Sequence, residues 1–406
     1  MPRVFYTAGP GNAFGTLRDF IEGREDGSTS HVAYSRQFYE ACARHGATAR
    51  VTCTHEGDDA GRLSGRGIEL VRRENPSAGK TGLSWYWAEW RKARRNMAEA
   101  RRFGADLVVL AEDSQPVFYA PLLRRGVTVV QVLHTRLWRE GARPSPMQRL
   151  WLAGFGRACA GRLAAVLSCS DVVTGQVRRL AGDRLSPVIE FLPLYRPHHY
   201  GGIKPPDVAA TRPGIAFVGR VEANKGVFDL IRAGRSLAAQ GTPAQFHICG
   251  TGPALEAMRA AAAAAGLGDS FTFHGWCDRA RLREVLAGCQ IGVVPTRSGF
   301  IEGFNQVAVE MVLAGRPVVV SDVCPAAAYL GEAAVSFPAD DVPAMSAALG
   351  RLIADRAELA RRAAACAGAG ARFFDERASF GAALDEIFAA LGEKRAPCSR
   401  IIPPRG

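Results

Sequence analysis

The 406-residue sequence has no uninterrupted apolar run approaching the roughly 18 residues that a membrane-spanning helix requires. Its N-terminal apolar stretch, Val4-Phe5-Tyr6-Thr7-Ala8, is too short for a secretory signal and runs straight into glycines, so a cytoplasmic protein is expected. Ten cysteines are present, but none form a two-residue-spaced pair, which argues against a zinc site or a redox couple. Cys53, Cys169 and Cys249 lie in apolar, strand-like contexts and read as small buried hydrophobes. Aromatic residues make up only 8% of the chain, and no short internal repeat is visible. With 48% hydrophobic and 22% charged residues, the composition excludes disordered, collagenous and membrane-spanning classes.

What is present in excess is positive charge, +12 formally, and it is unevenly spread. Residues 1–198 hold 29 Lys and Arg against 19 Asp and Glu, a net of +10; residues 199–406 hold 22 against 20, a net of +2. Such a surface fits nucleic acid, an anionic membrane or an acidic substrate, and charge alone does not choose among them.

Short apolar runs alternate with amphipathic helical segments throughout, the pattern of βα units around parallel sheets, so the class is α/β. Strands are predicted near 3–7, 49–54, 107–111, 127–133, 164–169 and 188–192, and again near 214–219, 245–249, 270–273, 290–294, 317–321 and 333–336. Helices in the first half are predicted near 29–45, 85–103, 145–162 and 171–181. The chain exceeds the size at which a single core stays favourable, and prolines and glycines cluster between Pro193 and Pro213. Two domains are therefore expected, 1–198 and 199–380, followed by a helix and tail over 381–406 that packs back on the first domain. The last dozen residues, Arg395 to Gly406, are expected to fray.

Three strand-ending segments of the second half carry the candidate chemistry, at the sheet edge where open α/β sheets bind ligands. In Phe217-Val218-Gly219-Arg220-Val221-Glu222-Ala223-Asn224-Lys225-Gly226, two cations stand at the start of a helix. They read either as a diphosphate clamp or as solvated surface charge. In Cys249-Gly250-Thr251-Gly252-Pro253, the glycines permit close backbone approach to a ligand, though turn chemistry explains them equally well. His247, just before, reads as a packed histidine. The third segment, Glu302-Gly303-Phe304-Asn305-Gln306-Val307-Ala308-Val309-Glu310, places one carboxylate in a loop and a second near the front of an apolar helix. A carboxylate among Val307, Val309, Met311 and Val312 needs a partner, and ligand hydroxyls supply one.

On these motifs the second half resembles the donor domain of the retaining family 4 glycosyltransferases of the two-Rossmann-domain (GT-B) architecture. Glu302 and Glu310 match the family's Glu-x7-Glu, and Ala314-Gly315-Arg316-Pro317-Val318-Val319 matches the segment that follows it. Gly219, Arg220, Lys225 and Gly226, then Gly250-Thr251-Gly252-Pro253 and Phe273-His274-Gly275, fall in the family's order. The resemblance covers about residues 214 to 337 and implies two Rossmann-like domains facing across a cleft. It implies that Arg220 and Lys225 hold a diphosphate, that Glu310 binds the ribose and that Glu302 contacts the donor sugar. Gly219, Gly250, Gly252 and Phe304 to Gln306 would border the bound UDP- or GDP-linked sugar. No separate cofactor and no metal is expected, and anomeric configuration would be retained. The chain departs from the pattern at Asn305 and Gln306, where the family usually has glycine and an apolar residue, so donor preference is expected to depend on these two.

The first half resembles the family only in outline. Gly9, Gly11 and Gly15 read as a Gly-rich loop after the first strand, with Gly11 beneath the donor phosphates by the same resemblance. Ser28 or Thr29 reads as a helix cap. His134 ends a strand and, by resemblance to a cleft histidine of related enzymes, contacts the donor sugar; a structural histidine is the alternative. Glu112, Asp113 and Ser114 end the preceding strand and are candidates for acceptor hydroxyls. The segment Leu83 to Arg95 mixes aromatic and basic residues as an interfacial membrane helix does. Tyr86, Trp90, Ala93, Met97 and Ala100 equally form a core-facing stripe. The partners expected are a nucleotide sugar, a glycan or lipid-linked acceptor and an anionic membrane surface. Same-fold hydrolases, epimerases and phosphorylases compete with a transferase. A nucleic-acid protein leaves the Glu pair unexplained, and a nicotinamide dehydrogenase would need a third glycine after Gly252.

Overall fold

The computed structural model describes residues 1–404 except 10, 28, 55–60, 112–115, 123–125 and 140–143. The chain divides into two compact units: unit 1 comprises Met1–Leu194 with Asp375–Ile402, and unit 2 comprises Tyr195–Phe374 with the last residues. The division thus falls after Leu194, four residues before the expected 198, and the chain returns to unit 1 at Asp375, before the expected 381.

Unit 1 runs β1 (Arg3–Thr7), α1 (Ala13–Glu22), α2 (Tyr34–Arg44), β2 (Thr48–Cys53), β3 (Arg62–Gly65), β4 (Ile68–Arg72), α3 (Gly82–Phe103), β5 (Leu107–Leu110), α4 (Pro116–Tyr119), β6 (Thr128–Leu133), α5 (Pro146–Cys159), β7 (Ala165–Ser168), α6 (Asp171–Ala181) and β8 (Val188–Glu190). The eight strands lie in the order β3-β4-β2-β1-β5-β6-β7-β8, all parallel except β3, which returns antiparallel on β4. Unit 2 runs β9 (Gly214–Val218), α7 (Val227–Ala239), β10 (Gln245–Cys249), α8 (Leu255–Ala264), β11 (Phe271–Gly275), α9 (Arg279–Gly288), β12 (Ile291–Val294), α10 (Gln306–Leu313), β13 (Val318–Ser321), α11 (Ala327–Leu330), β14 (Ala334–Phe337), α12 (Val342–Ala354) and α13 (Arg356–Gly370). Its six strands are all parallel, in the order β11-β10-β9-β12-β13-β14. The final helix, α14 (Phe380–Glu393), belongs to unit 1.

Both sheets are doubly wound because their central strands are apolar on both faces. Val293, Val319, Ile215 and Phe246 are buried together with the inner faces of α7 and α12, and no residue of β5 or β7 is exposed. In unit 1 the chain leaves β1 toward β2 and later returns to its other side at β5; in unit 2, β9 is flanked likewise by β10 and β12. Each reversal leaves a crevice at the carboxyl ends of the strands, the usual ligand position in this topology.

Four features differ from the sequence expectation. Gly15 is not part of a loop but lies in α1, which Asn12 caps by accepting from the Gly15 N–H at 2.9 Å. The hairpin β3–β4 was not predicted, since its stretch Gly61-Arg62-Leu63-Ser64-Gly65-Arg66-Gly67 carries too few apolar residues to alternate. The tail is tied down as far as Ile402. Arg400 forms a parallel bridge with Ile189, its N–H donating to Val188 O at 2.9 Å, and the Ile402 N–H donates to a Glu190 carboxylate oxygen at 2.7 Å. In α3 the expected stripe is present only in part. Ala93, Met97 and Ala100 are buried and Tyr86 and Trp90 half-buried, but Glu89, Lys92, Asn96 and Glu99 also turn inward. Lys92 Nζ bonds Glu89 at 2.9 Å, Arg73 bonds Glu99 at 3.0 Å and Asn96 donates to the Tyr119 hydroxyl at 2.7 Å. Paired in this way, the buried charges are tolerated.

All ten cysteines are free thiols, and eight are buried. Among the described residues no helix is long and apolar enough to cross a membrane.

Candidate functional site

Unit 2 gathers the predicted donor residues at the reversal between β9 and β12. The loop after β9 contains a short 3-10 turn, Ala223–Lys225, and then Gly226 in the left-handed region at φ 74°, which starts α7. A Cβ on Gly226 would lie 2.0 Å from the Pro295 carbonyl oxygen, so only glycine lets this loop press against the segment leaving β12. The Arg297 N–H donates to Asn224 O at 2.9 Å across the same seam. That close approach brings Lys225 Nζ within 2.9 Å of the Glu302 carboxylate, with both side chains largely buried. The ammonium also sits 3.7 Å from the centre of the Phe300 ring.

Asn305 completes the cluster. Its amide nitrogen donates to the same Glu302 oxygen at 3.0 Å, while its amide oxygen accepts from the Ala308 N–H at 3.0 Å and caps α10. The residue takes φ 79°, a left-handed conformation that asparagine tolerates better than most side chains. Gln306 opens α10, and its carbonyl accepts from the Tyr195 hydroxyl at 3.3 Å. Glu310, one turn on, is buried, and its charge faces Tyr200. Burial, with Glu310 adding to it, pushes the Tyr200 phenol well above its ordinary range, so it stays protonated.

The other predicted residues are distributed as follows. Arg220 is exposed and pairs with Glu222 at 2.7 Å. Gly219, Gly250 and Gly252 lie where the β9 and β10 loops run backbone against backbone. A Cβ on Gly250 would sit 1.8 Å from Gly219 O, and one on Gly252 2.4 Å from Val221 O. Close packing therefore already requires two of these glycines. Phe304 is buried with its ring against Tyr329 at 5.3 Å and Phe373 at 6.2 Å, and contributes core packing. His247 pairs with His274 at 3.1 Å, as a packed histidine should.

Unit 1 carries a cavity of about 350 Å³ at the carboxyl ends of its strands. Gly9 and Gly11 from the β1 loop, Thr16 from α1, His31 from the approach to α2, Tyr34 from its first turn, and His134 after β6 form much of its wall. A Cβ on Gly9 or Gly11 would meet nothing within 4 Å, so here the absence of a side chain keeps space open. The His134 ring packs on Tyr34 at 4.5 Å and edge-on to Phe191 at 5.6 Å. Burial lowers the pKa of both His31 and His134 to about 4; the nearby Asp26 opposes the shift at His31, and His31 adds to it at His134. Both rings are therefore neutral at pH 7. No sequence signal marked His31, Tyr34 or Asp26, because the cavity is assembled from loops and helices far apart in the sequence. Thr29, read as a cap, instead donates its hydroxyl to His31 O at 2.7 Å, while α2 begins five residues later with no side-chain cap. Ser28, Glu112, Asp113 and Ser114 lie outside the described residues.

Known proteins resemble the chain in sequence and in fold. Residues 212–355 match the family model described as glycosyl transferases group 1, and residues 31–189 match that of the glycosyl transferase 4-like domain. Over 317 residues the chain is 34% identical to the 2-deoxystreptamine N-acetyl-D-glucosaminyltransferase of Streptomyces fradiae, covering 73% of this chain and 74% of that enzyme. The chain is a group 1 glycosyltransferase. The glycosyltransferase is also 27% identical to the alpha-D-kanosaminyltransferase of Streptomyces kanamyceticus, over 72% of its own length and 80% of the relative's. Its fold matches the solved sucrose-phosphate synthase of Thermosynechococcus elongatus with a TM-score of 0.74 at 17% identity, covering 97% of this chain and all of the other. The architecture of this glycosyltransferase is thus that of the GT-B enzymes, with two parallel-sheet α/β units.

Proposed function

We propose that the enzyme takes a sugar from a nucleotide-diphosphate donor bound by unit 2 and transfers it to a hydroxyl of a small cyclic polyol bound by unit 1. Anomeric configuration is retained and no divalent metal takes part. The observation that carries this reading is the convergence of Lys225, Glu302 and the amino end of α10 at the β9/β12 reversal. A helix amino end and a cation together favour an anion, which is where the donor diphosphate binds, with Arg220 as a second cation freed from Glu222. Glu302 accepts hydrogen bonds from the donor sugar, and Glu310 accepts from the ribose of a UDP or GDP moiety.

In the transfer, an acceptor oxygen attacks the anomeric carbon, the bond from that carbon to the diphosphate breaks, and the departing phosphate takes the acceptor's proton. Lys225 and Arg220 stabilise the charge that develops on the leaving group, so a metal ion is not needed for that step.

The unit 1 cavity, at about 350 Å³, has room for a saturated ring, and 2-deoxystreptamine in the name of the Streptomyces fradiae relative is such a ring. A cyclitol acceptor therefore replaces the glycan or lipid-linked acceptor expected from class and charge, with His134 hydrogen-bonding a sugar or cyclitol hydroxyl. The deciding experiment offers the enzyme UDP- and GDP-sugars with 2-deoxystreptamine and excess chelator, and assigns the anomeric configuration of the product by NMR. Retained configuration and undiminished rate with chelator support the reading; inverted product or loss of rate refutes the corresponding part.

A second reading, contact with an anionic membrane, draws on the exposed side chains of Leu83 and Trp87 at the start of α3, close in sequence to Arg91 and Arg94. Co-sedimentation with anionic vesicles tests it, and equal recovery without vesicles ends it.

A further inference from the structure

We propose that the unit 1 cavity selects an acceptor bearing a protonated amine, and that Asp26, acting from behind His31 and Thr16, is the positioning residue that reads this charge. The inference rests on the proposed function, in that the cavity is the acceptor site.

Its first support is a local reversal of charge. Unit 1 holds most of the chain's positive excess, yet no arginine or lysine is found among the described residues of the cavity wall. The two histidines that line it are neutral at pH 7 and add no positive charge. A carboxylate stands directly behind the wall. Asp26 is buried, it accepts from the Thr16 hydroxyl at 3.0 Å, and its charge acts on His31; Thr16 and His31 both face the cavity.

Aromatic groups give the second support. Tyr6 and Tyr34 line the same space, Tyr6 with its ring centre 4.3 Å from that of Phe38 and Tyr34 with His134 packed on it at 4.5 Å. Aromatic rings at a cavity wall attract an ammonium ion more strongly than they attract a hydroxyl. A neutral imidazole, such as that of His134 or His31, accepts a hydrogen bond from an ammonium group, and the nearby Asp26 anion strengthens that bond. A cyclitol carrying only hydroxyls would occupy the volume without drawing on Asp26. The cavity thus distinguishes amine from hydroxyl by charge rather than by shape.

The experiment compares wild-type enzyme with Asp26→Asn and Asp26→Glu, using 2-deoxystreptamine and an inositol as paired acceptors and a fixed nucleotide sugar. Wild-type enzyme should show the lower KM for the aminocyclitol. Asp26→Asn should raise that KM about ten-fold or more, the size of one lost charge-assisted interaction, and leave the inositol and donor KM values nearly unchanged. Asp26→Glu should recover part of the loss. Equal losses for both acceptors would make Asp26 a purely structural residue, and no loss for either would also overturn the proposal. Should Asp26→Asn fail to fold, Thr16→Val, which removes one bond to the carboxylate, must show a smaller selective loss. Calorimetric titration with 2-deoxystreptamine separates the two claims. If the compound is not glycosylated but binds wild type more tightly than Asp26→Asn, the acceptor assignment falls while the amine site stands; if it binds neither, the amine site falls.

Discussion

Lys225 and Glu302, 77 residues apart in sequence, meet at 2.9 Å in unit 2, and Asn305 donates to the same carboxylate oxygen at 3.0 Å. The cation expected to hold phosphate and the carboxylate expected to hold sugar are therefore mutually neutralised before any donor binds. A donor that supplies a diphosphate to one and hydroxyls to the other exchanges one set of partners for another and leaves no buried charge unpaired. Glu302→Ala should lower kcat by at least about a hundred-fold if Glu302 acts on the transition state. Lys225→Ala should combine a loss in kcat/KM with a stability loss of about 1–3 kcal/mol, since it leaves the Glu302 carboxylate largely buried without its cation. A double-mutant cycle checks the coupling: the pair must lose less than the sum of the single losses, and strict additivity would place the two residues in separate roles.

Asn305 carries two duties that a glycine would divide. Glycine adopts φ 79° without strain but can neither cap α10 nor hold Glu302. Asn305→Gly should therefore leave stability within about 1 kcal/mol of wild type, since a glycine at a helix cap is nearly neutral. It should nevertheless shift kcat among donor sugars. Asn305→Ala lacks both the cap and the conformational tolerance and should be destabilised by a further ~1 kcal/mol. Urea unfolding of the three proteins, together with relative rates on a panel of nucleotide sugars, checks both statements. Unchanged donor preference in Asn305→Gly would remove this residue from donor selection.

How much of this was visible beforehand depends on how local the cause is. Lys225, Glu302 and Glu310 each follow or sit near a strand end, where an apolar run, a glycine and a helix start occur within a dozen residues, and their order alone pointed to a donor-binding role for unit 2. The cavity of unit 1 has no such signature. His31 is placed by the approach to α2, Thr16 by α1 and His134 by β6, and nothing in any one segment announces the other two. Helix α3 misled for the same reason. Its period correctly located Ala93, Met97 and Ala100, but Glu89 and Glu99 could be placed inside only by knowing that Lys92 and Arg73 meet them there. Phe304 read as part of the donor motif because it is flanked by motif residues, and its ring turns out to fill the core against Tyr329.

The glycines make a separable pair of cases. A methyl group at Gly250 would sit 1.8 Å from Gly219 O, a contact with backbone that no rotamer can relieve, and the residue's φ of 149° is itself unfavourable for other side chains. Gly250→Ala should destabilise unit 2 by ~2–4 kcal/mol, the range of overpacking and backbone strain combined. Gly11→Ala meets open space and should be nearly neutral for stability while raising the acceptor KM by filling part of the cavity. Thermal unfolding and acceptor kinetics on both variants separate packing from binding. A stable Gly250→Ala would contradict the backbone contact, and unchanged kinetics in Gly11→Ala would remove that glycine from the acceptor site.

The two neutral histidines set a pH dependence whose direction is fixed. His31 and His134 have pKa values near 4 in the folded protein against 6.5 for the free side chain, since burial disfavours the charged ring and, at His134, the neighbouring His31 adds to that effect. Between those values the unfolded chain binds protons that the folded chain refuses, so unfolding becomes more favourable as pH falls from about 6.5 toward 4. Well above 6.5 neither ring is protonated in either state, and their contribution is flat. The value at His31 already includes the opposing pull of the Asp26 carboxylate, so the two rings should contribute about equally to the response. Denaturant unfolding at several pH values between 7.5 and 4.5 checks this by comparing wild type with His134→Gln and His31→Gln. Each substitution should flatten the loss of stability in that window by removing up to one proton taken up on unfolding. Parallel curves for all three proteins would mean that the rings titrate normally and that the cavity admits water freely.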